Sequence, residues 1–351
     1  MKKGWLLVAL LAGCGDEGPR AAPTATPAES DHEVVTSDGW TLALHRYRPA
    51  QLAYAEPVLL THGFIENRRV WDLDADHSLA RVLVDAGFDV WTLDLRGSGA
   101  SAGEGWTFDI DDFIQRDAPA AVDYVLATTG APQLFFCGHS LGGLVVYGYC
   151  ETEGASKVRG GVTLAGAGQM TGGWSLQLML VNFFAVLGLG LGPILPADLP
   201  FPPSAILEAA LGSNDAAWNA LGALLDSPLG QPFWDAGNMT PALVTALLRD
   251  ALSDTSMNVV KQFLAWAKGG AFSYREELPR VDVPLLVVAG ANDLVVPPAN
   301  VRYCFERVSS ADKTYLELEG FGHEDLCVGA RAPAELFPGI REWIRARATA
   351  R

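Results

Sequence analysis

Leu134-Phe135-Phe136-Cys137-Gly138-His139-Ser140-Leu141-Gly142-Gly143-Leu144-Val145-Val146-Tyr147 is the stretch whose reading decides the fold. An apolar run of β type leads into Gly138, a serine stands between two glycines, and a second apolar run opens as a helix. So sharp a strand-to-helix turn strains the serine backbone. Side chains two positions to either side would collide with the neighbouring strand and helix, which is why glycine occupies 138 and 142. The turn lifts the Ser140 hydroxyl clear of a sheet, at the N-terminus of the following helix, where negative charge is favoured. A glycine-rich turn can match this pattern by chance, so the reading needs support elsewhere in the chain.

Working outward, a serine nucleophile needs a histidine base and an acid to orient it. Pro284-Leu285-Leu286-Val287-Val288-Ala289-Gly290 reads as a buried strand, and Asn292-Asp293 follows it. Thr314-Tyr315-Leu316-Glu317-Leu318 alternates as a strand should, and Gly320-Phe321-Gly322-His323 follows. Ser140, Asp293 and His323 therefore come in chain order, each just past the C-terminal end of a predicted strand. The other histidines, at 32, 45, 62, 77 and 139, all precede Asp293. The strand Gly161-Val162-Thr163-Leu164-Ala165 is followed by Gly166-Ala167-Gly168-Gln169, which offers no competing carboxylate. An aspartate in a strand-end turn can also simply cap a helix.

Two further turns belong to the same surface. Val58-Leu59-Leu60 is a short apolar strand followed by Thr61-His62-Gly63-Phe64. Asp89-Val90-Trp91-Thr92-Leu93-Asp94-Leu95-Arg96-Gly97-Ser98-Gly99 is a strand ending in a polar turn. Asp94 and Arg96 are expected to pin loops by charge-assisted hydrogen bonds and not to catalyse. The glycines at 97 and 99 lack the Lys-Ser/Thr of a phosphate loop.

With these residues in place, the chain over about residues 35–347 resembles the α/β-hydrolase superfamily. The resemblance implies a mostly parallel sheet with helices on both faces and a helical cap inserted over the catalytic mouth. It implies a Ser140–His323–Asp293 triad, with the backbone N–H groups of Phe64 and Leu141 holding the oxyanion, and His62 shaping its turn. The segment from His62 to Gly143 looks most like the acid-lipase branch, through His-Gly-Phe, Asp76-His77-Ser78-Leu79-Ala80, Asp85-Ala86-Gly87-Phe88-Asp89-Val90-Trp91, Thr107-Phe108-Asp109 and Asp117-Ala118-Pro119-Ala120. It departs where acid lipases commonly carry Gln after the serine. The turn from Asp94 to Gly99 is closer to general esterases and monoglyceride lipases. The implied reaction is carboxylic ester hydrolysis through an acyl-enzyme on Ser140, on small-molecule or lipid esters, with no metal or cofactor. A thioesterase, peptidase or acyltransferase on the same triad, or a non-catalytic lipid-anchored binding protein on a retained fold, stays open at this point. Dehalogenase or epoxide-hydrolase chemistry wants Asp at the elbow, and polyester synthases usually carry Cys there.

The N-terminus carries a separate message. Met1-Lys2-Lys3 precedes a short apolar run and Leu11-Ala12-Gly13-Cys14. This is a signal peptide over residues 1–13 that resembles a bacterial lipobox, which implies lipidation of Cys14 and an exported, envelope-anchored protein. Residues 14–33, rich in Pro, Ala, Thr and acid, are expected to be a flexible tether. The core then spans residues 34–168 and 276–351, with the cap over 169–275.

Residues 160–197 contain no charged side chain, and the apolar run 174–187 is long. A membrane span there would cut one sheet in two, so a buried cap helix or an acyl-binding lid around Trp174, Phe183 and Phe184 is expected. Residues 253–268 form an amphipathic pattern whose Val259, Val260, Phe263, Leu264 and Trp266 are expected to pack the cap. Residues 334–347 read as a final helix. A net charge of -16 argues against nucleic-acid binding. Of five cysteines, Cys137 and Cys150 read as buried hydrophobes, while Cys304 and Cys327 permit a disulfide in an exported chain without establishing one.

Overall fold

The computed structural model describes residues 27–101, 103, 105–169, 199–226, 233–267 and 274–351. The signal peptide, Cys14 and the apolar segment with Trp174, Phe183 and Phe184 lie outside the described residues.

Ten strands are described: β1 Ala28–Val35, β2 Thr41–Arg48, β3 Val58–Thr61, β4 Val90–Leu93, β5 Leu134–His139, β6 Val158–Leu164, β7 Pro200–Phe201, β8 Thr255–Ser256, β9 Leu285–Gly290 and β10 Lys313–Leu318. Eight of them form one sheet in the order β1-β2-β4-β3-β5-β6-β9-β10. The hairpin β1–β2 and the β2–β4 pair are antiparallel, and every pair from β4 to β10 is parallel. The central strands β3, β4, β5 and β9 are buried at every residue. Their near-continuous apolar runs are what a parallel sheet covered on both faces requires. Neighbouring residues of β6 show the two layers. A side chain at Gly160 would meet Trp343 of the last helix, and one at Gly161 would meet Val146 of the helix Leu141–Cys150.

Three boundaries differ from the sequence reading. The folded chain starts six residues before residue 34, because β1 opens at Ala28 and pairs with β2 along its whole length. Its side chains are mostly exposed, so composition reads it as tether. The backbone ladder holds it instead, with Asp31 bonded to His45 at 2.7 Å. The last helix is broken into Ala332–Glu335 and Phe337–Arg345, the second piece starting with Pro338 in its first turn, where the missing N–H costs nothing. The amphipathic cap helix begins at Met257, because Thr255 and Ser256 pair with β7. Cys304 and Cys327 are both free and buried. Cys304 Sγ instead accepts the Gly168 N–H at 2.8 Å.

The charged turn after β4 is a brace. Arg96 is 2% exposed. It donates through Nε to Asp117 Oδ1 at 2.7 Å and through Nη1 to Asp38 Oδ2 at 2.8 Å. Asp94 accepts from the N–H groups of Arg68 at 2.7 Å and Ala100 at 3.0 Å. Both residues pin loops, as their chemistry suggested. Among the described residues, no helix is long and apolar enough to cross a membrane.

Candidate active site

Ser140 joins β5 directly to the helix Leu141–Cys150 and takes φ 51° and ψ -114°, a conformation few L-residues adopt. The turn is over-determined by its surroundings. The Ser140 N–H donates to Leu164 O at 2.8 Å, and a Cβ on Gly142 would sit 2.4 Å from the Thr61 carbonyl oxygen. Glycine at 142 thus lets the elbow helix touch the end of β3.

The acid and base come from strands further along the same parallel sheet. Asp293 follows β9 and His323 follows β10, and their loops interlock. Asn292 N–H donates to Phe321 O at 2.9 Å, and a side chain on Gly290 would meet the Gly322 carbonyl at 2.3 Å. The outcome is a continuous chain of hydrogen bonds. His323 Nε2 lies 2.8 Å from Ser140 Oγ, and His323 Nδ1 lies 2.7 Å from Asp293 Oδ2. The other Asp293 oxygen accepts the N–H groups of Val295 at 2.8 Å and Val296 at 2.7 Å. Asp293 therefore caps its own turn and orients the imidazole at once. Burial alone would push the His323 imidazolium down. The Asp293 carboxylate beside it overcomes this, with help from Glu324 and Glu66, and raises it to about 9.

The two amides expected to stabilise an anion flank the serine. Leu141 opens the elbow helix, and Phe64 sits in the turn after β3; both line one pocket with Ser140 and His323. His62 shapes that turn. Its Nε2 accepts the Leu95 N–H at 3.0 Å, so its Nδ1 carries the proton and donates to Gly63 O at 2.9 Å. Burial holds its pKa below the ordinary value, so it stays neutral.

Leu144, Phe233, Phe263, Trp266, Val295 and Val296 give the pocket an apolar wall, and Glu66, His139 and Glu324 line it as well. Phe263 and Trp266, expected to pack the cap rather than contact substrate, line the pocket that also holds Ser140. The helical period puts them on one face, but which surface that face meets depends on how the cap sits. Phe64 packs edge-on against Phe263 at 5.1 Å between centroids. Among the described residues, the non-glycine positive φ angles are Ile65 (54°), Ser140 (51°) and Ala165 (51°), and all three line this pocket. Backbone strain of this kind costs on the order of 1–3 kcal/mol per residue and persists where surrounding structure enforces it.

Sequence reasoning missed a buried polar group beside the base. Glu66 Oε2 accepts the Gly63 N–H at 2.5 Å and lies 3.1 Å from His139 Nδ1, and His139 Nε2 lies 3.2 Å from His323 O. Glu324 completes the group, with polar atoms of Glu66, His139 and Glu324 within 4.8 Å of one another. Each of the three is a common surface residue type in a loop or at a strand end, and no spacing in the chain links them. Glu66 Oε2 and His139 Nδ1 are already engaged with each other and with Gly63, so the group reads as a hydrogen-bonded network.

Against known proteins, residues 56–330 match the family model for the alpha/beta hydrolase fold, and the chain belongs to that family. The bovine (Bos taurus) gastric triacylglycerol lipase is 25% identical over 347 residues, covering 88% of this chain and 86% of that one. A putative lysosomal acid lipase/cholesteryl ester hydrolase of Crotalus adamanteus is 39% identical over 131 residues, a match spanning 33% of this chain and 32% of the relative. Among solved structures, the Paleococcus ferrophilus monoacylglycerol lipase superposes with a TM-score of 0.59 at 24% identity, over 87% of this chain and 99% of that one.

Proposed function

We propose that this protein is a serine esterase of lipid-type carboxylic esters. The observation that carries the reading is the unbroken Ser140–His323–Asp293 hydrogen-bond chain opening into an apolar pocket. His323 Nε2 takes the Ser140 proton as Oγ attacks the ester carbonyl carbon. The carbonyl oxygen becomes an anion and is met by the N–H groups of Phe64 and Leu141. Collapse of that intermediate breaks the ester C–O bond, and His323 returns the proton to the departing alcohol. An acyl group is left on Ser140. Water, deprotonated by the same His323, then releases the acid and restores the hydroxyl. Phe263, Trp266 and Leu144 exclude water and accept the acyl chain, which supports esters of apolar acids over short soluble ones. The full-length similarity to a triacylglycerol lipase supports the same substrate class.

The test is a chain-length series of nitrophenyl esters, run beside thioester and amide analogues, with wild type and Ser140→Ala. Wild type is expected to prefer medium or long acyl esters and to be labelled by a fluorophosphonate. The alanine variant is expected to lose both properties. Labelling that persists without Ser140 would refute the assignment.

The second part of the reading concerns location. Residues 1–13 act as a lipoprotein signal, and Cys14 becomes a lipidated N-terminus on the bacterial cell envelope, with the hydrolase held beyond a short tether. The supporting observation is Leu11-Ala12-Gly13-Cys14 directly after an apolar run. Mass spectrometry of the N-terminal peptide from cells expressing the full chain is expected to find diacylglyceryl-modified Cys14. A mature N-terminus elsewhere, or an unmodified cysteine, rejects it.

A further inference from the structure

Glu66 and Glu324 form a pair that the hydrolytic mechanism does not use. Glu66 leaves the turn after β3, two residues past Phe64. Glu324 directly follows the catalytic His323. Glu66 is 4% exposed, and both carboxyls lie on the floor of the catalytic pocket. One oxygen of each carboxyl lies within 4.8 Å of the other. Two carboxylates facing each other this closely gain a hydrogen bond only if one of them carries a proton, since each offers acceptors alone when ionised. The donors around them are few. Gly63 N–H donates to Glu66 Oε2, and His139 Nδ1 lies 3.1 Å from the same oxygen, while Glu66 Oε1 and Glu324 Oε2 are buried without a partner.

The surroundings favour retention of that proton. His139 faces the pair from the end of β5, His323 from the loop after β10, and Cys327 from the short helix Asp325–Val328. Among the described residues, the ion-pair partner of Glu66 is His139 and no lysine or arginine. Burial pushes His139 down to about 4, so it brings no steady positive charge. Burial raises Glu66. Glu324 is raised well above the usual range by burial and then by its neighbour Glu66. Like charges this close in a largely buried site do not both ionise.

We infer that Glu66 and Glu324 are positioning residues that share one proton, tying the oxyanion turn to the catalytic histidine loop and keeping a single negative charge behind His323. The inference rests on the hydrolase reading above and deepens the same site. Glu66 Oε2 holds the Gly63 N–H, which sets the peptide leading to the Phe64 donor. Glu324 is covalently next to the base. The bridge between them therefore fixes the distance from oxyanion donor to general base. Its one negative charge supports the His323 imidazolium formed as Ser140 attacks.

The test compares Glu66→Gln, Glu324→Gln and the double variant, each full length. Glutamine preserves the shape and can donate the missing hydrogen bond. Each single variant still holds one carboxylate, so the acid limb of its kcat/KM profile is expected to stay at the wild-type pH. The double variant has no charge there, and its limb is expected to move down by about one pH unit or more. Difference infrared spectra of wild type against either single variant at pH 8 are expected to show the C=O stretch of a protonated carboxyl in wild type alone. This second readout needs no turnover, so it stands even if Ser140 proves not to be the nucleophile. The inference is overturned if wild type lacks that band, if either single variant moves the limb as far as the double, or if the double leaves the limb in place.

Discussion

At the scale of single residues, the proposed mechanism depends on protonation. His323 must be neutral at Nε2 to accept the Ser140 proton. Its pKa is raised to about 9, chiefly against burial and by the charge of Asp293, so the neutral fraction falls as pH drops through that value. Activity is therefore expected to be lost toward acid, with the kcat/KM limb lying above the ordinary histidine value near 6.5. Asp293→Asn removes that charge and presents an amide in place of the Oδ2 acceptor. Its kcat is expected to fall roughly 10³- to 10⁴-fold, and its limb to move to lower pH. A pH–rate profile of both proteins checks this, and an unshifted limb in the variant would contradict the assigned orienting role. The triad was legible in the chain because each member sits at the end of a strand whose apolar run is easy to read. Glu66 and Glu324 were not legible, because their meaning comes from facing each other across two loops far apart in sequence.

At the scale of elements, the loops that carry the site are braced by buried charge. Arg96 connects the turn after β4 to the first hairpin through Asp38 and to the N-terminus of the helix Ala118–Thr129 through Asp117. Asp117 is fully buried and also accepts the Arg96 N–H at 3.0 Å. Removing Asp117 leaves the buried Arg96 Nε and backbone N–H without an acceptor while Asp38 still holds the other end of the guanidinium, so Asp117→Ala is expected to destabilise the fold by about 3 kcal/mol. Urea unfolding measures it, and a loss below about 1 kcal/mol would place the brace among weak surface pairs. The polar turn after β4 advertised this role in sequence. The partners did not, since Asp38 and Asp117 lie in other elements. β1 shows the opposite failure. Its composition resembles a tether, and only its ladder with β2 makes it a strand.

At the scale of the whole molecule, described cap segments are tied to the catalytic loops. The carbonyl of Phe233 accepts the N–H groups of His323 at 3.0 Å and Glu324 at 2.9 Å. The segment around Ala251 takes the Asn67 N–H at 2.9 Å and donates from Ser253 N–H to Ile65 O at 2.8 Å. The oxyanion turn and the histidine loop thus each lean on a cap segment, and the cap supports the geometry of catalysis as well as covering it. No covalent link joins the layers among the described residues, where the four cysteines are free. A reducing agent is therefore expected to leave the melting temperature of the folded protein unchanged. A drop of several degrees on reduction would reveal a disulfide that packing alone does not supply.

Local pattern by itself determined the parallel sheet, the elbow and the triad. Buried strands must read as apolar runs, and a sharp strand-to-helix turn admits only small neighbours, so each strand end is written within a few adjacent residues and the acid and base follow from their order along the chain. Tertiary structure alone decided the pairing of Glu66 with Glu324, the partners of Arg96, the exposed first strand and the turning of Phe263 and Trp266 toward Ser140. Each of those depends on which distant surfaces meet. Contacts between distant segments are set by packing the entire core, and no short window of residues encodes them.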